Sequence, residues 1–219
     1  MPPLNIKHVT VLMDGPQAKT MTERRMARKD SIEDRVAICA EIINQSDDTW
    51  LVWCGLNAES KMLKNAIQGA VEITGSHKSK YKEDNMNAFS DGDIRVLVTK
   101  PKICGFGMNW QHCHKMAFVG LSDSFEEYYQ AVRRCWRFGQ EKPVDVYVIT
   151  AETEGAVVAN IKRKEDEFAT MLSGMISATQ EITKENIQST VREAEEYKAD
   201  EGIIIPDWLR SEVVDCECC

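Results

Sequence analysis

The chain has 219 residues, enough to bury a core without disulfides, and carries a net charge of −8. No apolar run reaches the length of a membrane span, and the start Met-Pro-Pro-Leu-Asn-Ile-Lys-His lacks the basic end and apolar core of a signal peptide, so a cytoplasmic location without membrane contact is expected. The acidity argues against a nucleic-acid partner until it is divided: residues 1–150 hold 20 Lys+Arg and 19 Asp+Glu, net +1, and residues 151–219 hold 7 and 16, net −9.

In chain order, Ile6 to Met13 reads as a candidate edge strand and Met21 to Asn44 as helix. Trp50-Leu-Val-Trp-Cys54 is a buried strand, followed by a cap at Asn57 and a helix from Ala58 to Gln68. Ala70-Val-Glu-Ile-Thr74 is a second strand, closed by Gly75-Ser76, and Ser79 to Phe89 is compatible with helix. Ile94 to Val98, Lys115 to Val119 and Pro143 to Ile149 complete the strands. Ser124 is a plausible N-cap for a helix running to Phe138. This alternation predicts an α/β fold, a parallel sheet with helices on both faces. From Gly155 to about Lys198 the chain is Glu-rich and helical, with an interruption near Thr179 to Thr183. Ile203-Ile-Ile-Pro-Asp-Trp-Leu209 is apolar enough to dock back on the domain.

None of Cys39, Cys54, Cys104, Cys113 and Cys135 forms a CxxC pair, which suits reduced, buried thiols. His112-Cys113-His114 lacks a second spaced pair, and no metal site is expected. The terminal Cys216, Cys218 and Cys219 make a poor cage. Functional groups in a parallel sheet gather in loops at the carboxyl ends of strands. Three such loops stand out: Cys54 to Asn57, Thr74 to His77, and Thr99 to Asn109 with its Gly105-Phe-Gly-Met-Asn109. Farther on, Gln130-Ala-Val-Arg-Arg-Cys-Trp-Arg-Phe-Gly-Gln140 puts Arg134 and Arg137 on one face of the predicted helix, where both guanidinium groups could reach one phosphate. Trp110 and Trp136 flank this region and suit either packing or base stacking.

In this order the loops and arginines resemble the second RecA-like lobe of superfamily-two helicases, especially the Swi/Snf-type branch. Leu51-Val-Trp-Cys54 is similar to its first conserved strand, Val96-Leu-Val-Thr99 through Asn109 to motif V, and Gln130 to Gln140 to motif VI. With Trp110-Gln-His-Cys-His114 and Tyr128-Tyr129, the set looks most like phage and prophage helicases, which would place it in host cytoplasm. The resemblance implies an arginine finger at Arg137 assisted by Arg134, and ATP or interlobe roles for Gly105, Gly107, Asn109 and Gln130. It further implies nucleic-acid contacts at Gly75, Ser76, Lys82 and Thr99. Arg133 stands where that branch has Asp, and its charge could serve ATP, an acidic partner or solvent.

No GxxxxGK[ST] loop occurs. The nearest imitation, Gly15-Pro-Gln-Ala-Lys-Thr20, lacks the glycine before Lys and any preceding nucleotide-fold strand, and there is no DExx box for Mg²⁺. The resemblance therefore implies half a motor, with residues 1–45 lying near the other lobe, 46–150 forming the RecA-like lobe and 151–219 a mainly helical extension. Pro2-Pro3-Leu4 lies near where a link from the first lobe would arrive. ATP and Mg²⁺ would be shared with an N-terminal lobe, DNA would be the track with RNA not excluded, and no hydrolysis is expected from this chain alone. The alternative is a non-enzymatic module that binds nucleic acid or a helicase.

Overall fold

Six short strands, apolar on both faces where they are central, pair in parallel as β1-β6-β5-β2-β4-β3. They are β1 (Leu4–Val11), β2 (Trp50–Cys54), β3 (Ala70–Glu72), β4 (Val96–Thr99), β5 (Lys115–Val119) and β6 (Val144–Ala151). The helices are α1 (Met21–Asp30), α2 (Ile32–Asn44), α3 (Asn57–Ala66), α4 (Ser79–Asp91), α5 (Pro101–Cys104), α6 (Phe125–Val132) and α7 (Gly155–Ser189). A computed structural model describes residues 1–12, 20–104 and 107–189 of the chain. The expectations for Gly105, for the 203–209 segment and for the terminal cysteines fall outside the described residues.

Alternation along β2 explains the two-sided core. Leu51 and Trp53 pack with Leu97, Met116, Phe118, Val146 and Val148 beneath Phe89 of α4, Tyr128 of α6 and Val157 of α7. Trp50, Val52 and Cys54 point the other way, against Val36, Cys39 and Ile43 of α2 and Leu63 of α3. The predicted sheet with helices on both faces is present, and β1 occupies an edge.

Several boundaries differ, each for a local reason. The Met21 to Asn44 helix is two helices, broken at Ser31 (φ −92°, ψ 7°): the Arg35 guanidinium takes up Arg28 O, while Ala27 O keeps its bond from Ser31 N at 3.1 Å and also accepts from Ser31 Oγ at 2.9 Å. Asn57 opens α3 instead of capping it, and its Oδ1 accepts from Lys100 Nζ. The helix expected to reach Phe138 stops at Val132. The carbonyls beyond it go elsewhere: Arg134 O accepts from Trp110 N, Cys135 O from Gln140 Nε2, and Phe138 O from Gln111 Nε2. The interruption at Thr179 to Thr183 is absent: α7 runs through, with the Thr179 hydroxyl turned back onto Met175 O at 2.8 Å instead of ending the helix. A strand, β1, does precede Gly15 to Thr20. Residues 13–19 lie outside the description, and Thr20 caps α1 by accepting from Glu23 N at 3.2 Å.

The chain divides into two units, residues 1–171 and 172–219. The first holds the sheet. The described part of the second, residues 172–189, is helical and leaves Leu172, Met175 and Ile176 exposed.

Candidate phosphate and nucleic-acid faces

β5 and β6 are parallel, so α6 must carry the chain back from the carboxyl edge of the sheet to its amino edge. Ser124, capping α6 at the carboxyl edge, accepts from Glu127 N at 3.2 Å. At the other end Trp136 Nε1 donates to Pro2 O at 2.8 Å, beside the start of β1. Arg134 and Arg137 therefore stand at the amino edge, opposite the edge where nucleotide-fold loops were expected to cluster.

They do not share a helix face, because both follow the end of α6 in turns. Arg134 is buried and its Nη1 donates to Met108 O at 3.1 Å, while its Nε has no hydrogen-bond partner. Burial, and then the neighbouring Arg137 charge, hold the Arg134 pKa below the usual guanidinium range. Arg137 is half-buried, and among the described residues nothing pairs with its guanidinium. Gln140 fastens the turn through three carbonyls, those of Gln111 (2.8 Å), Cys113 (3.2 Å) and Cys135 (3.2 Å). Gly139 holds φ +93°, and a Cβ there would lie 3.0 Å from the Gln111 side chain.

The motif V-like loop is brought to this turn. Gly107 (φ +83°) and Asn109 are exposed on either side of Met108, whose carbonyl Arg134 holds, and Gln130 is half-buried on α6. Arg133 folds onto its own chain, with Nη1 3.1 Å from Met1 Sδ and its guanidinium 5.5 Å from the centroid of Trp136. Trp110 is wholly buried and donates to Ser90 Oγ at 3.0 Å, so packing is its fate. Trp136 stays half-buried.

The residues assigned to nucleic acid gather at the carboxyl edge. Gly75 and Ser76 are exposed in the turn after β3, before the start of α4 at Ser79, and Ser76 Oγ pairs with Thr74 Oγ1 at 2.9 Å. Lys82 reaches back to Gly75 O at 2.9 Å and braces that turn. Thr99 is fully buried, donating to Ile73 O at 3.1 Å and lying 3.3 Å from Cys104 Sγ. Its hydroxyl ties the end of β4 to β3; a phosphate contact would require that bond to be exchanged.

Sequence reasoning missed a buried charge network between these strand ends. Glu59 Oε2 accepts from Gly55 N (2.9 Å) and Leu56 N (2.8 Å), while Oε1 meets Arg35 Nη1 (2.9 Å) and Arg28 Nε (3.4 Å). Arg35 also approaches Glu154 at 3.8 Å, and Arg28 Nη1 donates to Leu121 O at 3.2 Å. A Cβ on Gly120 (φ +76°) would sit 2.7 Å from Arg35 Nη1, which accounts for glycine there. Beside the network Arg28, Trp53, Gly55, Gly120 and Tyr128 line a cleft of about 40 Å³, room for a few waters. It lies where α3 leaves β2 on one face and α6 leaves β5 on the other. Glu59 fills with its own carboxylate the Gly55 and Leu56 N–H groups just ahead of α3, which could otherwise face an anion. The signal in the sequence was a Glu at the third position of a helix after Gly-Leu. Nothing linked it to arginines 24 and 31 residues upstream.

Among the described residues Cys39, Cys54, Cys104, Cys113 and Cys135 are buried thiols. Burial pushes Cys54 up to about 12 and raises Cys39, Cys104 and Cys135, so these four are not poised for nucleophilic chemistry. Among the described residues no group of three or more His, Cys, Asp or Glu could hold a metal ion, and no helix is long and apolar enough to cross a membrane.

Residues 33–139 match the family model described as helicase conserved C-terminal domain. Among solved structures, the crystal structure of the C-terminal part of Fun30 ATPase domain is similar at 19% identity and a TM-score of 0.51, over 60% of this chain. The match covers 44% of that chain, so this protein spans less than half its length. No curated protein sequence matches. Residues 33–139 are thus similar in sequence to the helicase conserved C-terminal domain, and the RecA-like α/β fold is similar to that of the C-terminal part of Fun30 ATPase domain.

Proposed function

We propose that the chain is the second lobe of an ATP-driven DNA helicase or translocase and completes an ATP site held by another lobe. The observation that carries this reading is Arg137: a guanidinium without a partner among the described residues, presented by a turn that Gln140 and Gln111 brace. A cation carried on a braced turn suits charge developing on a transferred γ-phosphate. The side chains here suit an anion. The half-buried Arg137 guanidinium suits phosphate oxygens and repels Mg²⁺, which belongs with the first lobe.

ATP supplies the driving chemistry when bound between lobes. This chain's part is to orient. Arg137 meets the terminal phosphate, and Arg134 stays buried as a strut fixing Met108 and with it Gly107 and Asn109. Closure and reopening of the lobes would then move the carboxyl-edge contacts along the strand. Phe138, 89% exposed beside Arg137, offers a facing lobe an aromatic anchor. Gly75, Ser76 and Lys82 form the track-facing turn, with Thr99 holding it from below.

The discriminating experiment titrates labelled DNA into the chain at two salt concentrations, with and without a first lobe. Weak, salt-sensitive binding that a first lobe strengthens is expected. Tight binding by the isolated chain, indifferent to ATP and to a first lobe, would instead make it a non-enzymatic binding module.

A further inference from the structure

We propose that His77 and Tyr81 form a base-stacking platform beside the Gly75-Ser76 turn, so that this lobe grips a single strand by a nucleobase as well as by phosphates. The inference rests on the nucleic-acid reading above and sharpens it. The two rings lie 4.6 Å apart between centroids at 61°, an edge-to-face contact. In that geometry the ring offering its edge keeps both faces, and the ring offering a face keeps the other. Each therefore retains at least one face uncovered by its neighbour, and Tyr81 is 39% exposed while His77 is half-exposed.

The platform is held in place. Thr74 N donates to His77 Nδ1 at 3.2 Å, and His77 N donates to Thr74 O at 3.3 Å, fixing the imidazole against the end of β3. With Nδ1 accepting, the neutral ring carries its proton on Nε2, leaving a donor for a base edge or a phosphate. Asn85 Nδ2 donates to Tyr81 O at 2.7 Å on the same helix. Lys78 and Lys80 are exposed around the rings, and Lys82 braces the turn beneath. Exposed aromatics interleaved with lysines suit a strand whose bases are unpaired, since every base has a π-face and a duplex hides it.

The test compares a labelled oligothymidylate with an abasic strand of the same length and charge, at one salt concentration, using the full chain and its variants. Tyr81→Ala should weaken oligothymidylate binding about tenfold and leave the abasic strand nearly unchanged. Tyr81→Phe should retain wild-type affinity, and Lys80→Ala should weaken both strands alike. Melting curves establish that each variant is folded. Equal affinity of wild type for both strands, or an unchanged Tyr81→Ala, overturns the platform while leaving phosphate binding standing. Absence of binding to either strand overturns the nucleic-acid reading and the platform with it.

Discussion

Arg134 and Arg137 are three residues apart and chemically alike, yet burial gives them different expected phenotypes. Arg137→Ala should reduce ATP turnover of a reconstituted motor about 10³-fold and leave the melting curve of the chain unchanged, because its guanidinium makes no internal bond among the described residues. Wild-type turnover in that variant would remove the finger role. Arg134→Ala should lower stability by about 2 kcal/mol in a denaturant titration, through loss of its charge-assisted bond to Met108 O. The resemblance made the pair legible, but the helical spacing argument for it was wrong, since backbone carbonyls beyond Val132 are claimed by residues 110, 111 and 140. The Glu59 network was not legible at all, because partners drawn from α1, α2 and α3 meet only after folding. Glu59→Ala strands Arg35 in the interior and should cost about 3–5 kcal/mol, whereas replacing Glu59 and Arg35 together by apolar residues should recover much of that in the same titration.

Among the elements, β2 and β5 beyond Lys115 were readable because they are buried and continuously apolar, and β6 because Val144, Val146 and Val148 alternate with half-buried Asp145 and Tyr147. Ends were harder: α6 and α7 stop or continue according to hydrogen bonds that periodicity does not record. The amino edge between β2 and β5 carries one pH-sensitive tie. Asp48, just before β2, accepts from Lys115 at the start of β5 and from Ser46 Oγ at 2.6 Å, and these bonds, the Lys115 bond foremost, hold its carboxyl below the ordinary 3.8. A depressed carboxylate contributes stability above its unfolded pKa and loses it as pH falls through the folded one. Melting temperatures from about pH 7 down to about pH 3 should therefore converge for wild type and Asp48→Asn at the acid end, with wild type higher near neutrality. Parallel curves across the range would show that the tie contributes nothing, an outcome that its partial exposure to solvent makes a real contest.

For the whole molecule, the two faces stand on opposite edges of one sheet: the arginine turn at the amino edge and the Gly75-Ser76 turn at the carboxyl edge. The sheet joins them through the paired strands β5, β2, β4 and β3, so movement of the arginine turn against a facing lobe would have to reach the strand contacts through that ladder. The order of motifs along the chain was legible, while their separation across the sheet was not, because chain order does not reveal which edge a returning helix reaches. The sequence contains no GxxxxGK[ST] loop, and ahead of α3 the Gly55 and Leu56 N–H groups are taken by the chain's own Glu59. Steady-state ATP hydrolysis, measured for the chain alone, for a first lobe alone and for the two combined with DNA, tests this most directly. Turnover should be negligible for each part and appear on mixing, stimulated by DNA. Hydrolysis by this chain alone, or none from the combination, would contradict the account.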